Sequence, residues 1–164
     1  MKPVGTRLEL DFVVTAVHHG EQRLAPFASL LTGPTLVSVY MKNNTGGCDR
    51  QIDALAAAAE EIRATGVHLI ALSRDTGGSH LRYAARRGID FPLVSDPEDR
   101  FASATGSLVE KKMYGRTFTG PSRSAYLLGI DGMLLACIEK VDTRRHGEEV
   151  VAMIGAAGLA GPTA

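Results

Sequence analysis

The feature that most constrains this fold is the spacing of its apolar runs. "TLVSVY" (35–40), "VHLIALS" (67–73) and "FPLVSD" (91–96) are too short and too continuously apolar for amphipathic helices, and each lies next to a turn or helix signal. Such runs read as strands buried on both faces. Between the first two, Ile52, Leu55, Ala56, Ala59 and Ile62 recur at three- and four-residue spacing, which predicts a helix ending before Gly66. "SHLRYAARRG" reads as a second helix, with Ser79 as N-cap and Gly88 as its stop, and "PEDRFASATG" as a helical turn or two. "DFVVTAV" reads as a further strand followed by the polar turn "HHGEQ". The order then changes. "RSAYLLG" and "MLLACIEKV" flank "IDG" as an antiparallel hairpin, and "HGEEVVAMIGAAG" supplies a closing helix with Val150, Ile154 and Ala157 on one side.

Strands alternating with helices, then a hairpin and a last helix, describe an α/β chain with a central mixed sheet flanked by helices, as in thioredoxin-like folds. A length of 164 residues fits one domain, with residues 157–164 as a flexible tail. Lys plus Arg (18) balances Asp plus Glu (18), so no net charge draws the chain to nucleic acid or to an anionic membrane face. No stretch approaches the roughly 20 apolar residues of a membrane span, and "MKPVGTRLELDF" lacks a signal core, so a cytoplasmic protein is expected. Two cysteines 89 positions apart form no disulfide framework, and a reducing compartment keeps both as thiols.

Cys48 falls where a buried strand gives way to a helix, at the carboxyl edge of the sheet. First-turn amides and the helix dipole there favour a thiolate, and Gly46 and Gly47 let the backbone turn and approach the sulfur. Thr45 lies three residues before Cys48, and Arg123 opens an apolar strand, where a charge needs a reason. A guanidinium beside a thiolate lowers its pKa and offers donors to a substrate oxygen. A buried packing cysteine, a capping Thr45 and a strand-end Arg123 are the structural alternatives.

"MKNNTGGC" resembles the Pro-x-x-x-Thr-x-x-Cys loop of peroxiredoxins, and "PSRSAYLL" the strand that carries that family's active-site arginine. The resemblance is closest to the bacterioferritin comigratory protein, or Q-type, group. It continues through "FPLVSDPEDRFASATG", the long loop "EKKMYGRTFTGPSR" and "HGEEV". It implies a thiol-dependent peroxidase without metal or organic cofactor. Cys48 would be the peroxidatic cysteine, Thr45 the hydroxyl that orients peroxide, and Arg123 the cation that polarises it, with the Gly47 amide assisting. The chain departs from the family in two places. Met41 stands where the family has proline, and Asp53 where many members have a second cysteine.

Pairing across a two-residue Asp131-Gly132 loop sets Cys137 opposite Tyr126 and away from Arg123, as a buried bystander rather than a resolving thiol. The expectation is a one-cysteine enzyme acting on hydrogen peroxide and small organic hydroperoxides. Its reductant would be an external thioredoxin, glutaredoxin or low-molecular-weight thiol, and it would be a monomer or homodimer. The alternative is a thioredoxin-fold redox-sensing or binding protein with little turnover. His18 and His19 sit in a turn without metal-site spacing, and His68, His80 and His146 read as packing, capping or surface groups.

Overall fold

The computed structural model describes residues 1–159. Strand β1 (Val13–His18) and β2 (Glu21–Pro26) form a hairpin, followed by a 3-10 turn (Phe27–Leu30) and β3 (Thr35–Val39). Helices α1 (Gly46–Ala57) and α2 (Ala59–Ala64) lead to β4 (His68–Ser73), α3 (Gly77–Arg87), β5 (Leu93–Ser95) and α4 (Arg100–Thr105). A ribbon of β6 (Leu108–Met113) and β7 (Arg116–Pro121) precedes β8 (Ser124–Leu128), β9 (Leu134–Ile138) and α5 (His146–Ala156). The main sheet has seven strands in the order β2-β1-β5-β4-β3-β8-β9. β3, β4 and β5 run parallel and the other pairings are antiparallel, so the sheet is mixed.

The period of two along each central strand divides two cores. On one face Leu36, Leu69, Ala71, Ala125 and Leu127 meet Ile52 and Leu55 of α1, Ile62 of α2, Tyr83 of α3, and Val150 and Ile154 of α5. On the other, Val37, Ile70, Tyr126 and Leu128 meet Phe101 of α4 and the amino-terminal segment through Leu8, Leu10 and Phe12. α1 and α5 approach closely at Gly147, where a Cβ would stand 2.6 Å from the Ala54 carbonyl oxygen and 2.7 Å from the Ala58 Cβ.

The structure corrects several local expectations. "HHGEQ" is a turn only at His19 and Gly20, because His18 closes β1 and Glu21 and Gln22 open β2, an edge strand whose largely exposed side chains hide its periodicity. The first helix breaks at Ala58 into α1 and α2. Thr76, not Ser79, caps α3: its hydroxyl accepts the Ser79 amide at 3.2 Å. The segment read as a long loop is largely the β6–β7 ribbon, turned at Tyr114 and Gly115, both with positive φ (52° and 75°). Ala157 is the exposed C-cap of α5, off the apolar face. Gly158 and Leu159 then fold back, with the Leu159 amide donating to Ile154 O at 3.1 Å, while the rest of the expected tail lies outside the described residues. No helix among the described residues is long and apolar enough to cross a membrane.

Candidate active site

β3 runs out of the sheet centre at Tyr40, and residues 41–45 cross to the start of α1. This crossing is anchored from below. The Tyr40 hydroxyl donates to Asn43 Oδ1 at 2.6 Å, the Asn43 amide donates to Asp75 Oδ2 at 3.0 Å, and Asn43 Nδ2 reaches Ser79 Oγ and His80 Nδ1, each at 3.1 Å. His80 is buried, accepts from Asn43 on Nδ1 and donates its Nε2 proton to Val94 O at 3.1 Å, so it is a support of the loop rather than a surface group. Tyr40 is fully buried, and desolvation holds its phenol protonated.

Cys48 is the third residue of α1 and has no exposed surface. Three N–H groups point at its sulfur, each at 3.4 Å: the Met41 amide, the Lys42 amide and Arg123 Nη1. Burial pushes the thiol pKa up. The Lys42 and Met41 amides and the Arg123 charge more than offset it, so the pKa lies below the ordinary cysteine value. In the resting geometry Thr45 Oγ donates to Lys42 O at 2.8 Å, and a hydroxyl has only one proton. The two amides and the guanidinium therefore carry the resting stabilisation of the sulfur. Thr45 occupies the N-cap position of α1 without making a side-chain cap bond.

Arg123 stands just before β8 and divides Nη1 between Cys48 Sγ and Gln51 Oε1, the latter at 2.9 Å. Gly47 makes room for it, since a Cβ there would come within 3.3 Å of Arg123 Nη2. That close approach explains Gly47 better than a sharp turn, because neither Gly46 nor Gly47 has a positive φ. Thr45, Gly47, Met41 and Arg123 are partly exposed and form a rim around the buried sulfur.

Sequence reasoning placed Cys48, Thr45, Gly47 and Arg123, and the structure brings all four together. It missed the donors Met41 N and Lys42 N, which belong to the strand exit and not to the helix start. Gln51 was also missed, although its i+3 offset from Cys48 puts both on one helix face. Lys111 on the ribbon sets Nζ 3.0 Å from the Met41 thioether sulfur. Desolvation, followed by the charges of Arg74 and Arg123, lowers the Lys111 pKa.

Cys137 does pair with Tyr126, though by another route. The loop has three residues, Ile130 to Gly132, closed by the Gly129 amide on Met133 O at 2.9 Å, and a bulge at Leu127/Leu128 restores the register beyond it. Cys137 packs with the core on the Tyr126 face, whereas Cys48 belongs to the core on the Leu36 face. The sheet stands between the two sulfurs. Burial, then the charge of Glu139, raises the Cys137 pKa. Asp53 pairs with Arg87 at 2.6 Å, while Tyr83 donates to Asp49 at 2.6 Å.

The His18 and His19 rings stack at 3.7 Å, and His18 Nε2 bonds Asp90 O at 2.7 Å. Among the described residues no three His, Cys, Asp or Glu side chains gather as a metal site.

Known proteins similar to this chain are peroxiredoxins. The AhpC/TSA family profile matches residues 6–136. Peroxiredoxin Bcp of Xanthomonas campestris pv. campestris is 32% identical over 121 residues, which cover 74% of this chain and 76% of the relative. Peroxiredoxin Bcp of Escherichia coli K12 is 28% identical over 116 residues, 71% of this chain and 74% of the relative. A solved structure of X. campestris peroxiredoxin Q superposes with a TM-score of 0.78 at 28% identity, covering 90% of this chain and 91% of that one. A structure of X. campestris bacterioferritin comigratory protein, studied as a trapped intermediate/ligand complex for its alkyl peroxide reduction activity, gives 0.80 at 26% identity, covering 94% and 99%. The fold is thus the thioredoxin-like fold of peroxiredoxins, and the chain belongs to the AhpC/TSA family, within its bacterioferritin comigratory protein, or peroxiredoxin Q, group.

Proposed function

We propose that this thiol-dependent peroxidase works through Cys48 as a one-cysteine enzyme. It reduces hydrogen peroxide and small organic hydroperoxides, and an external thiol restores it. The observation that carries this reading is the convergence of Met41 N, Lys42 N and Arg123 Nη1 on one buried sulfur.

The Cys48 thiolate attacks the terminal peroxide oxygen in line with the O–O bond. The S–O bond forms as the O–O bond breaks, and the electron pair leaves on the distal oxygen, which takes up a proton and departs as water or an alcohol. Sulfur is oxidised by two electrons to the sulfenic acid and the peroxide is reduced by two. Charge grows on the departing oxygen, and fixed donors already in place lower that barrier. Arg123 supplies one of them with its remaining guanidinium protons. The Thr45 hydroxyl and the Gly47 amide, both on the rim, orient the peroxide. Thiolate and peroxide balance the reaction between them, so the step calls for no metal or organic cofactor.

The sheet between Cys48 and Cys137, and the Asp53–Arg87 pair, support resolution from outside. A first external thiol condenses with the sulfenic acid to a mixed disulfide and water. A second thiol releases Cys48 as thiol and leaves as the external disulfide. A low-molecular-weight thiol, a glutaredoxin or a thioredoxin fits that role, in the cytoplasm, with the enzyme a monomer or homodimer. Balanced charge supports no role for nucleic acid or for a membrane surface.

Intact mass after one equivalent of peroxide, with and without a sulfenic-acid trap, tests the reading. One trap adduct at Cys48, lost in Cys48→Ser, is expected. An unmodified Cys48 would refute it.

A further inference from the structure

Beneath Arg123 lies a line of buried polar groups that the peroxidase chemistry does not itself use. Ser38 and His146 have no exposed surface, and neither has Gln51. In an apolar interior such groups are retained only when fully hydrogen-bonded, and here every direction along the line is determined. Gln51 Nε2 gives its two protons to Ser38 Oγ at 2.9 Å and Val39 O at 3.1 Å, so Gln51 Oε1 is left to accept from Arg123 at 2.9 Å. Ser38 Oγ, accepting from Gln51, has its own proton for His146 Nε2 at 2.8 Å. His146 therefore carries its proton on Nδ1 and donates it to Glu149 Oε1 at 2.8 Å.

We propose that His146, held by Glu149, is a positioning residue that aims Arg123 at the Cys48 sulfur through Ser38 and Gln51. The proposal rests on reading Cys48 as the peroxide-reactive thiol.

An amide side chain such as Gln51 has two flip states, and only one presents oxygen to a guanidinium. The flipped state would face an N–H group toward Arg123 and an oxygen toward Ser38 and Val39 O, setting oxygen against the Val39 carbonyl. Ser38 as acceptor supports the correct state only if its own proton goes elsewhere, and neutral His146 takes it. Burial pushes the His146 pKa down, with Glu149 opposing and Arg123 reinforcing, so the ring is neutral near pH 7 and Nε2 is free to accept.

His146 is the first residue of α5, and the close approach at Gly147 sets that end of the helix against α1. Glu149 also accepts the Asp142 amide at 3.1 Å, which fixes its carboxylate from the preceding loop. Helix α5 is thereby tied, through Ser38, Gln51 and Arg123, to the sulfur in the first turn of α1.

The experiment compares His146→Leu and His146→Gln with the parent protein in three measurements: thiolate titration of Cys48 by absorbance near 240 nm, the second-order rate constant with hydrogen peroxide, and thermal melting. In His146→Leu the Ser38 proton loses its acceptor. The Cys48 pKa should rise and the rate constant fall about tenfold, the effect of roughly one displaced hydrogen bond to a charged group. In His146→Gln the side-chain oxygen reaches the place of Nε2, and both quantities should return to within about threefold of the parent. A folded His146→Leu with parental pKa and rate would overturn the proposal, as would a His146→Gln impaired as badly as His146→Leu at equal melting temperature. If His146→Leu does not fold, Ser38→Ala severs the same line with the loss of one oxygen and decides the question by the same readings. A parent protein inert to peroxide would defeat the proposed function instead, and the thiolate titration would still decide whether His146 positions Arg123.

Discussion

The backbone amide of Met41 donates to the sulfur of Cys48 at 3.4 Å, from the position where the Pro-x-x-x-Thr-x-x-Cys pattern has proline. Proline has no N–H, so this chain directs one more donor at its thiolate than that pattern provides. Met41→Pro should therefore raise the Cys48 pKa, whereas Met41→Ala, which keeps the amide, should leave it at the parental value. Thiolate absorbance against pH separates the two variants. A Met41→Pro protein with an unchanged or lower pKa would show that the amide contributes nothing to the anion.

Arg123 meets both the sulfur and Gln51 from a single nitrogen. Arg123→Ala removes the charge, the hydrogen bond and the donors left for the departing oxygen, and should lower the rate constant with peroxide by about 100-fold or more. Arg123→Lys keeps a cation, but an ammonium lacks the planar fork that spans sulfur, amide and substrate, so an intermediate loss is expected. Stopped-flow kinetics under pseudo-first-order peroxide ranks the three proteins. Equal rates for Arg123→Lys and the parent would reduce the guanidinium to a point charge.

Cys137 lies on the far face of the sheet from Cys48 and is only half-buried. Cys137→Ser should leave peroxide consumption with an external thiol within about twofold of the parent, and should change stability by no more than about 1 kcal/mol. Non-reducing mass spectrometry after peroxide should find no bond between positions 48 and 137. That disulfide as the main product would require the sheet to open and would end the one-cysteine reading.

What was legible in the chain beforehand follows from what each residue is buried against. β3, β4 and β8 are covered on both faces and so appear as apolar runs, and the alternation of Leu36 with Val37 later proves to divide two cores. β2, β6 and β7 leave most side chains in solvent, so no run betrays them. The Tyr114-Gly115 turn between "VEKKM" and "RTFTG" was the one available mark of the ribbon. At the site, Cys48 and Arg123 stand out because a cysteine at a strand-to-helix junction and a charge at the head of an apolar strand both need explaining. The amides of Met41 and Lys42 could not stand out, because every residue carries one and only the path of the loop aims it. His146 reaches Ser38 across 108 positions, a distance at which no local pattern survives.

The lowered pKa of Cys48 sets the sign of a pH dependence. A group more acidic in the folded than in the unfolded chain contributes stability that is fully present above its unfolded pKa, about 8.5 for cysteine. That contribution is lost as pH falls through the folded value. Relative to Cys48→Ala, the reduced parent should therefore gain melting temperature as pH rises through the window between the two pKa values, and the difference should level off above about pH 9. Paired thermal melts under a non-thiol reductant measure it. A difference that is flat with pH would mean that the folded environment does not favour the anion.

Gly147 offers a mechanical test of how α5 is seated. A Cβ at this position would stand 2.6 Å from the Ala54 carbonyl oxygen, a backbone atom that cannot rotate away, so Gly147→Ala must push α5 from α1. Overpacking of this kind costs about 1–3 kcal/mol, and the gain in helix propensity from Gly to Ala, about 1 kcal/mol, offsets only part of it. The variant should melt below the parent. Because the displaced helix begins with His146, the Cys48 pKa should rise as well. Melting temperature and thiolate titration on the same preparation check both, and a Gly147→Ala protein as stable as the parent would mean that the two helices are not held at this separation in solution.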